Sequence, residues 1–231
     1  MRFKLGDVAR FIDYRGKTPP KTTQGIPLVT AKIVKDNVIQ TPTEFIAEDF
    51  YDEWMRRGIP QKGDVVFTTE APLGDIAQIK TEEKLAFAQR IIILQGEKDW
   101  LDNDFLFYSL QYEPMRERIQ ARSTGTTVVG IKAAELRQVE IDLPDLATQR
   151  SISITLRALD DKIANNLKIN HHLVASRSAT DSSPDIKRGK RVSRSIAKRI
   201  DSSTFLSSFS LMGAIRLLKA SRTDSVGIAT V

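Results

Sequence analysis

The chain has 231 residues, 41% hydrophobic and 28% charged, enough for one good core with appendages. It has no cysteine, which excludes disulfides and thiolate metal sites and is compatible with a reducing cytoplasm. The formal charge of +6 is unevenly placed: residues 174–231 hold 11 Lys/Arg against 4 Asp/Glu, and residues 1–173 hold 24 against 25. The total charge of the part that reads as folded therefore gives no argument for nucleic acid; only a local basic face would. No charged-then-apolar leader is visible, and no apolar run approaches the roughly 18 residues that a bilayer span needs.

Residues 1–14 place Phe3, Leu5, Val8 and Phe11 among polar neighbours, as a strand or turn opening the core would. Residues 15–23 form a loop by their Gly and Pro content. Arg15, Lys17, Thr18 and Lys21 make it cationic and hydroxyl-rich. Such side chains neutralise phosphates or bond phosphate oxygens and base edges, although a solvated turn has the same composition. Residues 26–34 (IPLVTAKIV) predict a buried strand in which Thr30 and Lys32 share a face. That pair either lines a cleft or marks the solvent side of an edge strand. Residues 45–57 predict a helix stopped by Gly58.

A turn at Lys62-Gly63-Asp64 leads into a strand over 65–69, which ends in Thr68 and Thr69. Residues 70–75 read as a loop, 76–79 as a second strand and 86–94 as a third. In the third, Gln89 and Arg90 precede an apolar run. Gln and Arg suit bidentate contact with adenine and guanine edges, yet both are also ordinary residues at strand ends. Residues 102–122 predict a helix capped by Asp102 or Asn103. Pro114 inside it predicts a kink, or two helices meeting near Glu113. Thr124 and Thr126 lie in a hydroxyl-rich loop that is no Walker motif, since no Gly-Lys-Ser/Thr follows. Val139, Ile141 and Leu143 alternate with Glu140 and Asp142 as a last strand.

The chain is organised around residues 143–173. Ile152, Leu156, Leu159 and Ile163 are spaced as the a/d seam of a coiled coil, with Asn166 and Asn170 in the next slots and Leu173 closing the series. A helix of about 25 residues there is nearly 40 Å long, and a seam Asn fixes register at some cost in stability. Asp145 or Thr148 can cap its start. An ordinary amphipathic helix on its own domain is the plainer alternative. Residues 174–231 change character: 13 serines, no glutamate, and Phe205 and Phe209 as sole aromatics. This basic tail reads as poorly ordered, with a short amphipathic helix possible around Leu211, Ile215 and Leu218.

Enzyme constellations are not evident in the sequence. His171 and His172 are adjacent on a helix and cannot both face one metal without distortion, so they read as surface residues. Asp75, Glu82 and Lys84 have only a nuclease-like spacing that chance supplies readily. The expectation is a non-catalytic binder with no metal site.

The stretch Thr124-Gly125-Thr126, the segment 131–136, the strand ending in Leu143-Pro144, and then Gln149, Ile152, Leu156, Leu159, Asp160, Ile163, Asn166 and Asn170 together resemble the half-repeat of the specificity subunit of type I restriction–modification systems. Residues 15–19 and 63–66 also resemble that family's target recognition domain, so the resemblance covers residues 1–173. It implies an α+β fold: a mixed α/β target recognition domain over 1–143, a coiled-coil spacer helix over 144–173, and a tail over 174–231 that resembles no second recognition domain. It implies double-stranded DNA as ligand. By loop position and residue type, the candidate contacts are Arg15, Lys17, Thr18, Lys21, Thr30, Lys32, Thr68, Thr69, Gln89, Arg90, Thr124 and Thr126. It implies a helix interface through Ile152, Leu156, Leu159, Ile163, Asn166 and Asn170. Partners would be modification and restriction subunits, which carry S-adenosylmethionine, ATP and Mg²⁺ themselves, in the cytoplasm and away from membranes. With one domain and one helix, the chain could restore the family's two-headed architecture as a homodimer. A protein-interaction scaffold or a non-functional truncated remnant are the alternative readings.

Overall fold

Strands β7 (Val65–Thr69) and β10 (Ile91–Gly96) each open with an unbroken apolar run, Val65-Val66-Phe67 and Ile91-Ile92-Ile93-Leu94, because their sheet is covered on both faces there. The computed structural model describes residues 1–14 and 18–180. Arg15, Lys17 and the tail from 181 onward lie outside the described residues. Side chains alternate across the sheet: Val65, Phe67, Ile92 and Leu94 enter one core, and Val66, Ile91 and Ile93 enter a second.

The chain starts with β1 (Arg2–Lys4), a helical turn α1 (Leu5–Val8) and β2 (Ala9–Asp13). Next come β3 (Ile26–Val29), the short hairpin β4 (Val34–Lys35) and β5 (Val38–Ile39), β6 (Phe45–Ile46) and one turn of α2 (Tyr51–Trp54). β8 (Leu73–Gln78) and β9 (Ala86–Phe87) flank a loop and lead into β10. The main sheet has the order β2-β10-β7-β8 and is antiparallel. A smaller sheet, β6-β3-β9, backs the second core. α3 (Asn103–Gln111), α4 (Glu113–Ala121) and α5 (Ala133–Arg137) cover the first. β11 (Glu140–Asp142) then pairs with β1, and the Met1 amino group donates to the Leu143 carbonyl at 2.8 Å. The long helix α6 (Leu146–Thr180) closes the described chain. This mixed α+β architecture, with a long C-terminal helix, is the expected fold class.

Three expectations change. The predicted strand 26–34 stops at Val29, because Ala88 N–H closes the pairing with the Val29 carbonyl and the chain turns into a 3-10 turn at Ala31–Ile33. Thr30 and Lys32 therefore share no strand face. The predicted helix 45–57 begins as β6, since Leu28 N–H bonds the Glu44 carbonyl and draws that segment into the small sheet; a 3-10 turn at Glu48–Phe50 and the single α-helical turn Tyr51–Trp54 remain. The predicted strand 86–94 is two strands in two sheets, β9 parallel to β3 and β10 antiparallel to β2, with the switch at Gln89-Arg90. Pro114 falls where it harms nothing. It sits in the first turn of α4, and two helices meet at Tyr112 and Glu113 as Pro114 required.

Met1–Leu159 forms one compact unit. It includes the first turns of α6, in which Asp145 accepts from Thr148 N–H at 2.9 Å as the cap. The described residues from Asp160 belong to a second unit, and those from Asp160 to Val174 are all exposed. Among the described residues no helix is long and apolar enough to cross a membrane.

Candidate nucleic-acid interface

Strands β7 and β8 are joined by a short turn, and several segments meet at that end of the sheet. The Ile131 amide donates to the Thr69 carbonyl at 2.9 Å, and Glu70 bridges to Gly130. Gly130 and Thr124 exchange both backbone hydrogen bonds, at 2.8 and 2.9 Å, which closes the loop 124–130. Gly125 permits the closure. Its φ is +120°, and a Cβ there would lie 2.1 Å from the Val128 carbonyl oxygen. The loop exposes Thr126, Thr127, Val128 and Val129.

Arg90 reaches the same end, where its Nε pairs with Glu70 at 2.9 Å. The Thr69 amide donates to the Arg90 carbonyl, so the sheet switch and the strand end are bound together. The β4–β5 hairpin turns through Asp36 and Asn37, both at positive φ, and packs on β8. Asn37 is pinned to Gln111 of α3 at 3.0 Å. Asp75 sits near Arg116, Asp36 and Lys35; burial pushes its carboxyl up, Arg116 and Lys35 oppose that, and Asp36 adds to it. Lys35, Arg116 and Lys132 are exposed. The edge is thus mixed in charge rather than uniformly basic.

The structure brings together Gln89, Arg90, Thr124 and Thr126, with Thr30 close by through the Val29–Ala88 bond. It places Thr18, Lys21 and Lys32 on other exposed surface, with Lys21 paired to Glu44 at 2.9 Å. Thr68 and Thr69 are corrected as groove contacts. Thr68 is 0% exposed, and its hydroxyl accepts from Asp75 N–H at 2.9 Å. Thr69 is also buried, with its hydroxyl on the Arg90 carbonyl. Both build the strand end rather than its surface. Glu70 and the hairpin were missed; the dipeptide Asp36-Asn37 between Val34-Lys35 and Val38-Ile39 was the available turn signal. Asp75, Glu82 and Lys84 serve separate neighbours: Glu82 pairs with Lys62 at 3.2 Å and Lys84 lies over the Tyr51 ring. His171 and His172 are exposed.

The helix seam divides. Ile152 and Leu156 pack against the first core, whereas Leu159 is 51% and Ile163 43% exposed. Leu167 and Val174 extend that exposed stripe about one and three turns beyond Ile163, beside Asn166 and Asn170.

Residues 1–174 match the family model described as type I restriction modification DNA specificity domain. A putative type I restriction enzyme MjaX specificity subunit from Methanocaldococcus jannaschii is 25% identical over 165 residues, covering 69% of this chain and 36% of that protein. The MjaIX specificity subunit of the same organism is 32% identical over 112 residues, covering 48% and 25%. The chain thus spans about a third or less of the length of these relatives. Among solved structures, the HsdS subunit from Thermoanaerobacter tengcongensis superposes with a TM-score of 0.54 at 16% identity, covering 78% of this chain and 47% of that one. A chain from a type I R-M system assembly gives 0.57 at 20% identity, covering 78% and 43%. With its family model matched from the first residue through the opening turns of α6 and beyond, the chain belongs to the type I restriction modification DNA specificity domain family.

Proposed function

We propose that the chain is a non-catalytic, sequence-reading subunit of a type I restriction–modification complex. The observation that carries this is the family match over residues 1–174, which includes both the globular unit and the exposed stripe of α6. The reading edge is the β7–β8 end: Arg90 with Gln89 for base edges, and Thr124, Thr126 and the exposed cations Lys35, Arg116 and Lys132 for phosphates. Arg90 is held by its Nε on Glu70, which leaves both terminal nitrogens for the O6 and N7 of a guanine. Arg15 and Lys17 join this set by residue type.

Leu159, Ile163 and Leu167 offer the apolar stripe for a second helix, from another copy of this chain or another subunit. Two copies would place two reading edges on a split, palindromic target. A partner adenine methyltransferase and a restriction subunit, working in the cytoplasm, would supply S-adenosylmethionine, ATP and Mg²⁺, and this chain would bind none of them.

The test is co-expression of the full chain with a modification subunit, followed by mapping of methylated adenines. The expected result is one split sequence. Leu159→Asp with Ile163→Asp abolishes methylation, and Arg90→Ala relaxes one guanine position by about 1–3 kcal/mol. Methylation without sequence preference overturns the reading. The mixed charge of the edge favours one rival, a protein scaffold that never touches DNA. A steep fall of DNA affinity with salt removes that rival.

A further inference from the structure

α6 does more than rest on the domain. Gln149, Ser153 and Arg157 recur every fourth residue, so they line one face over its first three turns. All three engage the entry to α3. Gln149 is 1% exposed and fully used: it donates to the Trp100 and Pro144 carbonyls, each at 2.9 Å, and accepts from the Asp102 amide at 3.0 Å. Ser153, also buried, has one hydroxyl proton to share between the Gln149 carbonyl at 2.9 Å and the Asp102 carboxylate at 3.3 Å. That same oxygen caps α3 by accepting from Phe105 N–H at 2.9 Å, so the cap of one helix is shared with the flank of another. Arg157 bonds the Asp104 carboxylate and the Gln78 side-chain oxygen, the latter at 3.1 Å.

Gln78 carries the connection into the sheet. Its amide donates to Asp104 at 2.6 Å and to the Gly63 carbonyl at 3.0 Å. It is the last residue of β8, and the other end of that strand, at Leu73, adjoins the turn from β7 where the proposed reading edge lies. Five residue steps of extended chain, about 17 Å, separate the two. β8 is the edge strand of its sheet, but its pairing with β7 and the burial of Ile76, Ala77 and Gln78 limit how far it can stretch or bend. The placement of the reading edge is therefore referred to α6 through one strand and one polar cluster.

We infer that Gln149, Ser153 and Arg157 are positioning residues for target spacing: they determine how many base pairs separate the two halves of the DNA sequence. This rests on the proposed reading of the chain as the DNA-recognising subunit. An apolar interface alone would tolerate small slides of helix on domain, because Ile152 and Leu156 would stay buried through them. Directional hydrogen bonds to a buried glutamine do not tolerate such slides.

The test uses the full chain co-expressed with a modification subunit, with methylated adenines mapped by sequencing so that half-site identity and spacing are read together. Wild type is expected to methylate one spacing and to fall about tenfold when one base pair is added or removed. In Arg157→Met and Gln149→Leu the half-site sequences stay the same, and the spacing preference shrinks to about threefold or less. Arg157 is half exposed, so its variant keeps the experiment decisive if Gln149→Leu does not fold. A general loss of stability lowers methylation at all spacings alike and leaves their ratio unchanged. Unchanged spacing preference in a folded Arg157→Met protein overturns the inference and leaves the recognition reading intact. Absence of any sequence preference in wild type overturns both.

Discussion

Two carboxylates respond to pH in opposite directions. Asp64 is buried among the Gln61 amide and the side chains of Gln95 and Asn103. Burial still raises its pKa, against those donors and Arg10. The folded state thus holds this proton more firmly than the unfolded chain, and its contribution turns unfavourable as pH climbs above the ordinary carboxylate value near 4. Asp142 behaves the other way. Partial burial would raise its pKa, but hydrogen bonds from Arg118 at 2.7 Å and Arg2 at 2.9 Å outweigh that and lower it. Its contribution is complete above about pH 4 and fades as pH falls through the lowered value. Asp142→Asn is therefore expected to lower the melting temperature slightly at neutral pH, with the gap to wild type closing at the acid end; a gap that widens in acid would refute this. At this scale the sequence misleads at Thr68 and Thr69. Both look like accessible hydroxyls at a strand end. A register shift between Phe67 and Thr69 turns the Thr68 hydroxyl onto the backbone of β8, and no residue pattern announces a bulge.

Elements show where pattern reading works. The four-and-three spacing of α6 was legible because a helix repeats on itself and needs no partner to be seen. The strands over 26–34 and 86–94 read as single runs because buried strands in two different sheets share the same β-branched composition; tertiary pairing decides where each one breaks. The seam, however, does two jobs that spacing cannot separate. Leu156 completes a core and Ile163 lies open. Leu156→Asp is expected to cost about 3 kcal/mol of folding stability. Ile163→Asp should cost no more than about 0.5 kcal/mol while weakening association along the stripe. Urea unfolding and analytical ultracentrifugation of the two variants distinguish these outcomes. Equal destabilisation would mean that the two positions are not divided as described.

For the whole molecule, β1 and β11 tie residues near the start to residues near 140, so the globular unit closes on itself before α6 runs on. A chain ended after Leu159 is expected to melt within about 2 °C of the full-length protein, because Gln149, Ser153 and Arg157 are all retained. It should fail to join a modification subunit. A large drop in melting temperature would place essential packing beyond Leu159. The fold class was legible from the resemblance and the element pattern. The proposed reading edge was only half legible, since Gln89-Arg90 and Thr124 to Thr126 are distant in sequence and are linked through the pairings of Thr69 with Arg90 and Ile131, of Glu70 with Arg90 and Gly130, and of Thr124 with Gly130.

The double duty proposed for β8 has a consequence for the exchange of segments between relatives. Recombination that imports a foreign segment spanning Leu73 to Gln78 brings a new lettering surface and, at its far tip, a new hinge pin. Only donors whose strand ends in an amide able to grip Asp104 would give chimeras that keep the old gap length while changing the words on either side of it.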